Sequence, residues 1–144
     1  MTPPAFDPLV VQSRLALIGQ LLGDLEQAGA VSAAALADDR MLRHAIERIL
    51  SQIVELAVAV NSHVSATQLA RAPQDYRSSV DLICAAGAIE AELARRLKPS
   101  VGLRNVLTHE YVEVDLRIVA TAVGTARIDY GDYVRAVSSW LSQR

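Results

Sequence analysis

The chain has 144 residues, of which 51% are hydrophobic and 4% aromatic, and its formal net charge is −2 at pH 7. This length suits one domain with a proper core, and the scarcity of aromatic residues beside abundant alanine favours packed helices over a β-sandwich. Because the net charge is weakly negative, any binding of nucleic acid must use a local patch rather than an overall positive charge. The single cysteine, Cys84, excludes an internal disulfide. We therefore expect one domain over residues 1–144.

The sequence predicts neither a secretion signal nor a membrane anchor. Residues 1–11 lack a basic region followed by an apolar run. The longest apolar stretches are interrupted by Glu55, Asn61 or arginines, and we expect them to fall short of the ~20 residues that a membrane span needs. A cytoplasmic protein without membrane contact is the expectation.

The first half of the chain predicts two long helices. In the first, apolar residues recur every three or four positions: Val11, Leu15, Ile18, Leu22 and Leu25. Gly29 follows as a typical helix stop. A second helix should begin near Asp38 or Asp39, either of which is suited to cap it, and Pro73 then marks a loop.

The second half predicts shorter helices followed by one long helix. We expect a helix around Ser79–Ala86 and another from Ala88, which Pro99 should kink or restart because proline lacks an amide hydrogen. Asp115 is a candidate cap for the last helix, whose apolar stripe begins at Leu116. No segment alternates with period two for long enough to predict a strand. The predicted fold is an all-α antiparallel bundle of four to five helices.

The segment VGLRNVLTHEY, residues 101–111, concentrates polar side chains in an otherwise apolar chain. When successive residues are placed about 100° apart, as in an α-helix, five polar residues lie on one half of the helix: Arg104, Asn105, Thr108, His109 and Tyr111. Arginine can hold phosphoryl oxygens, and histidine can move protons near neutral pH. On RNA the 2′-hydroxyl supplies an internal nucleophile, so this chemistry requires no metal. The wheel alone also allows ordinary surface residues without a catalytic role.

These residues also carry a family resemblance. Arg104, His109 and Tyr111 have the spacing R-x-x-x-x-H-x-Y, which resembles the signature of HEPN-domain toxins of the HepT kind. Upstream, AIERILSQIVELAVAVNSH, APQDYRSSVDLI and GAIEAELARRLKPSVGLRN resemble family segments in the same order. The resemblance extends over residues 7–140.

The resemblance implies a fold and an activity. It implies a helical homodimer in which both Arg/His pairs face one cleft, and a metal-independent endoribonuclease that acts on cellular RNA, tRNA in some members. Arg104 would position the scissile phosphate and His109 would act as general acid or base. Asn105 would orient the histidine or the phosphate. Neither a cofactor nor a metal site is implied.

The resemblance also implies a partner and a modification. The family's antitoxin is a small MntA-like nucleotidyltransferase, which uses ATP to attach AMP to the motif tyrosine, here Tyr111. On the helical wheel Tyr111 lies about 20° from Arg104, so an adenylate there would block the phosphate site. Arg95, Arg96 and Lys98 are candidate RNA contacts, although ordinary bundle-surface roles stay open for them.

Two other functions remain compatible with the sequence. Some HEPN proteins are non-catalytic binding or scaffolding subunits that partner a nucleotidyltransferase. The regular apolar spacing of the last helix would also suit a plain helical dimerisation domain.

Overall fold

The computed structural model describes residues 4–107, without the side chains of Asn105 and Val106, and residues 114–144. The regular secondary structure of these described residues is α-helical, without a strand. The helices in chain order are α1 (Pro8–Ala28), α2 (Ala33–Asp38), α3 (Arg40–Gln68), α4 (Tyr76–Ala85), α5 (Ala91–Leu107) and α6 (Leu116–Ser142). The all-α prediction is confirmed, with α2 as a further short helix.

Side-chain caps begin most of these helices. In five cases a short polar side chain accepts a backbone N–H from the first turn, and these caps are Asp7, Ser32, Asp39, Asp75 and Asp115. The predictions of a cap at Asp38 or Asp39 and of another at Asp115 are confirmed. α2 is absent from the predicted elements because its six residues are too few to show a helical period.

Helix ends and breaks follow local rules with one exception. Gly29 closes α1 with φ 72°, a conformation that favours glycine, as predicted. Pro99, however, lies inside α5 without restarting it. Leu97 and Val101 on either side of the proline are almost fully buried. Their packing holds the helix continuous where proline alone predicts a break.

α3 is the core helix, and it contacts each of the other five. Its buried stripe includes Ile46, Ile53, Val60 and Val64. By length and composition α3 could cross a membrane, the one helix of the described residues that could, but more than half of its most apolar stretch is buried inside the fold. The expectation that every apolar stretch is too short to span a membrane is therefore wrong for α3. The apolar surface of α3 packs in the core of the protein.

A buried polar network joins α6, α3 and α4. The Tyr133 hydroxyl donates to the Asn61 side-chain oxygen at 2.6 Å, and the Ala57 carbonyl oxygen lies 3.2 Å from the same hydroxyl. The Asn61 amide donates to the Ser79 hydroxyl at 3.3 Å, and Ser79 donates to the Tyr76 carbonyl at 2.6 Å. Burial raises the pKa of Tyr133 well above its usual range. This network fixes the start of α4 relative to α3.

The two ends of the chain meet beside α3. The Phe6 ring lies 5.6 Å from the His63 ring and 5.7 Å from the Trp140 ring. The Asp7 backbone N–H donates to His63 Nε2 at 3.0 Å, and the Arg144 guanidinium stacks on Trp140. His63 therefore anchors the segment that leads into α1.

Candidate functional site

Arg104, in the last turn of α5, contacts two other helices. Its Nη2 donates to the Glu55 carboxylate on α3 at 2.9 Å. Its guanidinium carbon lies 5.0 Å from the centre of the Tyr76 ring at the start of α4, within cation–π distance. The Arg104 side chain is 21% exposed and that of Glu55 36%. We call Arg104, Glu55 and Tyr76 the Arg104 cluster.

The start of α4 is fixed by a reciprocal cap, and this places Tyr76. Asp75 accepts the Ser78 backbone N–H at 2.7 Å, while the Ser78 hydroxyl accepts the Asp75 backbone N–H at 3.1 Å. Two hydrogen bonds from Ser78 hold the pKa of Asp75 below its usual value. The bond from the backbone N–H has the larger effect and the bond from the side chain the smaller one. Tyr76 is the first residue of the helix that this cap begins.

Arg104 also lies on the wall of a groove between α3, α5 and α6. The groove has a volume of about 590 Å³. Its walls are mainly aliphatic and include Leu50, Leu103, Leu107, Ile118 and Ala122. Ile118, at the start of α6, is 56% exposed. The groove thus places an arginine beside an apolar surface that the described chain leaves accessible.

Arg96, which also lines the groove, binds three carboxylates. Its guanidinium donates to Asp129, to Asp132 at 3.0 Å and to Glu92 at 3.0 Å. These hydrogen bonds, the one to Asp129 first, raise the pKa of Arg96 further above its usual value. Because Asp129 and Asp132 belong to α6, Arg96 links α5 to α6 across this part of the groove.

A hydroxyl pair lies next to this network. Ser100 donates its single proton to the Leu97 carbonyl at 2.5 Å, so Tyr130 is the donor in its 2.5 Å contact with Ser100. Tyr130 is 2% exposed. Burial raises the pKa of Tyr130 to about 12, so the phenol stays protonated at neutral pH and contributes a hydrogen bond.

The remaining predicted RNA contacts point to different partners. Arg95 is exposed and lies 3.5 Å from Glu92 on its own helix. Lys98 lies 2.6 Å from Asp81 of α4. Arg95 and Arg96 share Glu92, and Arg96 also pairs with two carboxylates of α6, whereas Lys98 pairs with α4. The roles of these three residues as RNA contacts stay predictions.

Two of the predicted site residues, His109 and Tyr111, lie outside the described residues. Asn105 lies in α5, but its side chain is outside the description too. Arg104 is therefore the predicted catalytic residue whose surroundings are described. Within the described ranges, no group of three or more His, Cys, Asp or Glu side chains could hold a metal ion.

Sequence reasoning missed Glu55 and Tyr76. Glu55 interrupts an apolar run and is the one charged residue between Ile49 and Ser62. A lone carboxylate on a helix that is otherwise packed in the core favours a cation on a neighbouring helix, because an opposite charge offsets the cost of partial burial. That rule predicts a cation near Glu55, although it does not say which. Tyr76 carries no comparable signal.

Comparison with known proteins places this site in a family. The sequence profile described as Ribonuclease HepT-like matches residues 18–137. The chain is 30% identical over 136 residues to the tRNA nuclease HepT of Aphanizomenon flos-aquae, covering 94% of this chain and 92% of that protein. It is 28% identical over 101 residues to the mRNA nuclease HepT of Shewanella oneidensis, covering 70% and 76% respectively.

The fold has close counterparts among solved structures. The tri-AMPylated Shewanella oneidensis HEPN toxin, solved in complex with the MNT antitoxin, matches with a TM-score of 0.80 and 24% identity. The match covers 90% of this chain and 97% of that one. At this identity it shows a shared fold. The profile match over most of the chain confirms the resemblance carried by the R-x-x-x-x-H-x-Y motif, and the chain belongs to the HepT-like ribonuclease family.

Proposed function

We propose that this protein is the toxin of a toxin–antitoxin pair and that it cleaves cellular RNA without a metal ion. The observation that carries the proposal is the placement of Arg104. In a chain of a ribonuclease family, the motif arginine lies on the wall of a groove, oriented by a carboxylate and a ring from two other helices. A guanidinium held in this way suits the fixed, forked geometry of a phosphate contact.

The chemistry follows from the residue types of the motif. The 2′-oxygen attacks the adjacent phosphorus, its proton passes to a base, and the bond from phosphorus to the 5′-oxygen breaks as that oxygen takes up a proton. A 2′,3′-cyclic phosphate results. Arg104 stabilises the charge that grows on the phosphoryl oxygens, and His109 transfers one of the protons. Asn105 orients the histidine or the phosphate.

The groove supports assembly as a homodimer. One histidine per chain is little for a reaction that needs both an acid and a base, and two chains facing one cleft supply two. The apolar groove beside Arg104, with Ile118 exposed at its edge, is a surface that a second copy can cover. Dimerisation there brings two copies of Arg104 towards one cleft.

The partner that we propose is an MntA-like nucleotidyltransferase that modifies Tyr111. A structural neighbour is a tri-AMPylated HEPN toxin in complex with an MNT antitoxin, which supports this partner class. AMP on Tyr111 adds bulk and negative charge two positions after His109, where both oppose RNA binding. Intact-mass analysis and peptide mapping after co-expression with the antitoxin test this step, and an unmodified Tyr111 contradicts it.

Cleavage assays on tRNA and total RNA in excess chelator test the activity. We expect cyclic or 3′-phosphate ends from the wild-type protein, and rates about 10²–10³-fold lower for Arg104→Ala and His109→Ala. Activity that needs added metal, or that survives both substitutions, contradicts the proposal. Tyr111→Phe should keep its activity and escape modification, which separates catalysis from neutralisation.

A further inference from the structure

Among the described residues, Glu55 and Tyr76 contact Arg104 from two directions. The Glu55 carboxylate binds the edge of the guanidinium at 2.9 Å, and the Tyr76 ring lies against it at 5.0 Å. An arginine side chain has many rotamers, and a single contact leaves the guanidinium plane able to rotate. An edge contact together with a ring contact fixes both the position and the plane of the group.

Both partners are themselves fixed by the core. Glu55 belongs to α3, where its neighbours Ile53 and Val54 are almost completely buried. Tyr76 follows the reciprocal cap at Asp75, and its carbonyl accepts the Ser79 hydroxyl of the buried network. These two contacts therefore tie Arg104 to two helices whose own positions the interior of the protein determines.

Stability alone is a weak explanation for this arrangement. An ion pair with side chains 21% and 36% exposed contributes little to folding, because water screens it. For phosphate binding, moreover, the negative charge of Glu55 works against the arginine. A carboxylate that weakens the attraction between Arg104 and RNA must contribute through geometry if it contributes to the reaction.

We propose that Glu55 and Tyr76 are positioning residues, which act on RNA cleavage by holding Arg104 in the orientation that the scissile phosphate requires. This inference rests on the proposed ribonuclease function. Displacing a group by about 1 Å can lower a rate about a hundredfold, whereas the strength of substrate binding changes less. Substitutions of Glu55 or Tyr76 should therefore change kcat much more than KM.

Kinetics on an RNA oligonucleotide test the inference. We expect Glu55→Ala to lower kcat at least tenfold with KM unchanged or lower, since removing the carboxylate also removes repulsion of RNA. Glu55→Gln, which keeps an acceptor for Arg104, should recover part of the lost activity. Glu47→Ala is the matched control, because Glu47 lies on the same helix in an ion pair with Arg43 and should leave kcat unchanged.

The ring contact gives an independent pair of variants. Tyr76→Phe keeps the aromatic face and should retain wild-type kcat, whereas Tyr76→Leu should lower it severalfold with KM unchanged. All assays are run well below the thermal unfolding midpoint of each variant, so that a loss of folded protein is not mistaken for a loss of kcat. If Glu55→Ala does not fold, the comparison of Tyr76→Phe with Tyr76→Leu tests the inference by itself.

Each outcome is decisive. Equal kcat for Glu55→Ala and Glu47→Ala overturns the inference, as does equal kcat for Tyr76→Phe and Tyr76→Leu. Faster cleavage by Glu55→Ala also overturns it, because Glu55 would then restrain Arg104 rather than position it. In these cases wild-type cleavage and its loss in Arg104→Ala leave the proposed function standing. If the wild-type protein does not cleave RNA, both the proposed function and this inference are contradicted.

Discussion

At the scale of single residues, two buried tyrosines of α6 make specific hydrogen bonds through their hydroxyl groups. Tyr130 donates to Ser100, and Tyr133 donates to the Asn61 side-chain oxygen with the Ala57 carbonyl nearby. Burial raises the pKa of both phenols. Each tyrosine therefore stabilises the fold in its neutral form. Loss of its proton or of its hydrogen-bond partner should lower the free energy of unfolding.

Alkaline pH should destabilise the protein through Tyr130. Its pKa in the folded state is about 12, above the value near 10 expected when unfolded, so the neutral form is favoured by folding. The resulting stabilisation, on the order of 2 kcal/mol, is fully present below about pH 10 and is lost as the pH rises through about 12. Urea unfolding across this range measures it. Tyr130→Phe should flatten the curve in part, and an unchanged curve contradicts the assignment.

Removing the Tyr133 hydroxyl should destabilise the core. Tyr133→Phe keeps the ring but deprives the Asn61 oxygen, in a residue only 2% exposed, of its donor. An unsatisfied buried acceptor costs about 1–3 kcal/mol. Chemical denaturation should show this loss. A double variant with Asn61→Ala should lose less than the sum of the two single losses, since both delete one interaction.

At the scale of elements, glycine has two different roles in and after α1. A Cβ added at Gly23, inside the helix, would meet no atom within 4 Å, so the position requires no glycine in the isolated chain. Gly29 also has open space, but its φ of 72° is a conformation that side chains rarely adopt. Because space is open at both positions, only the backbone conformation distinguishes them, and it favours glycine at Gly29 but not at Gly23.

Alanine substitutions should separate these roles. We expect Gly23→Ala to stabilise the protein by about 0.5–1 kcal/mol, because glycine loses more backbone entropy on folding. Gly29→Ala should destabilise it by about 1 kcal/mol or more, because the cap needs a positive φ. Thermal unfolding midpoints of the two variants measure the contrast. Shifts in the same direction would show that the backbone conformation at Gly29 is not limiting.

At the scale of the whole molecule, the groove beside Arg104 is the surface that we expect a second copy to cover. Ile118→Asp should abolish dimerisation, because a carboxylate buried unpaired in an interface costs several kcal/mol, more than tenfold in affinity. Sedimentation velocity should show monomers, with cleavage lost. The matched control is Ile128→Asp, on the same helix and 64% exposed but outside the groove. A variant of Ile118 that stays dimeric would place the interface elsewhere.

The sequence by itself determined five of the six helices in the described residues, because the interactions that define these five are local. Asp39 and Asp115 cap helices within their own first turn, and the stripe of α6 needs only a period of three to four residues. The motif around Arg104 was equally readable, because its residues lie within one short segment. The continuity of α5 through Pro99 was not, since packing of Leu97 and Val101 decides it.

Only the tertiary structure decided which groups surround Arg104 and Arg96. Glu55 lies 49 positions before Arg104, and Asp129 lies 33 positions after Arg96. Such pairings depend on how each helix is rotated about its axis and where it crosses its neighbours, and helical periodicity leaves both undetermined. The sequence therefore specified an arginine suited to phosphate chemistry, while the packing of α3 and α4 against α5 selected the carboxylate and the ring that orient it.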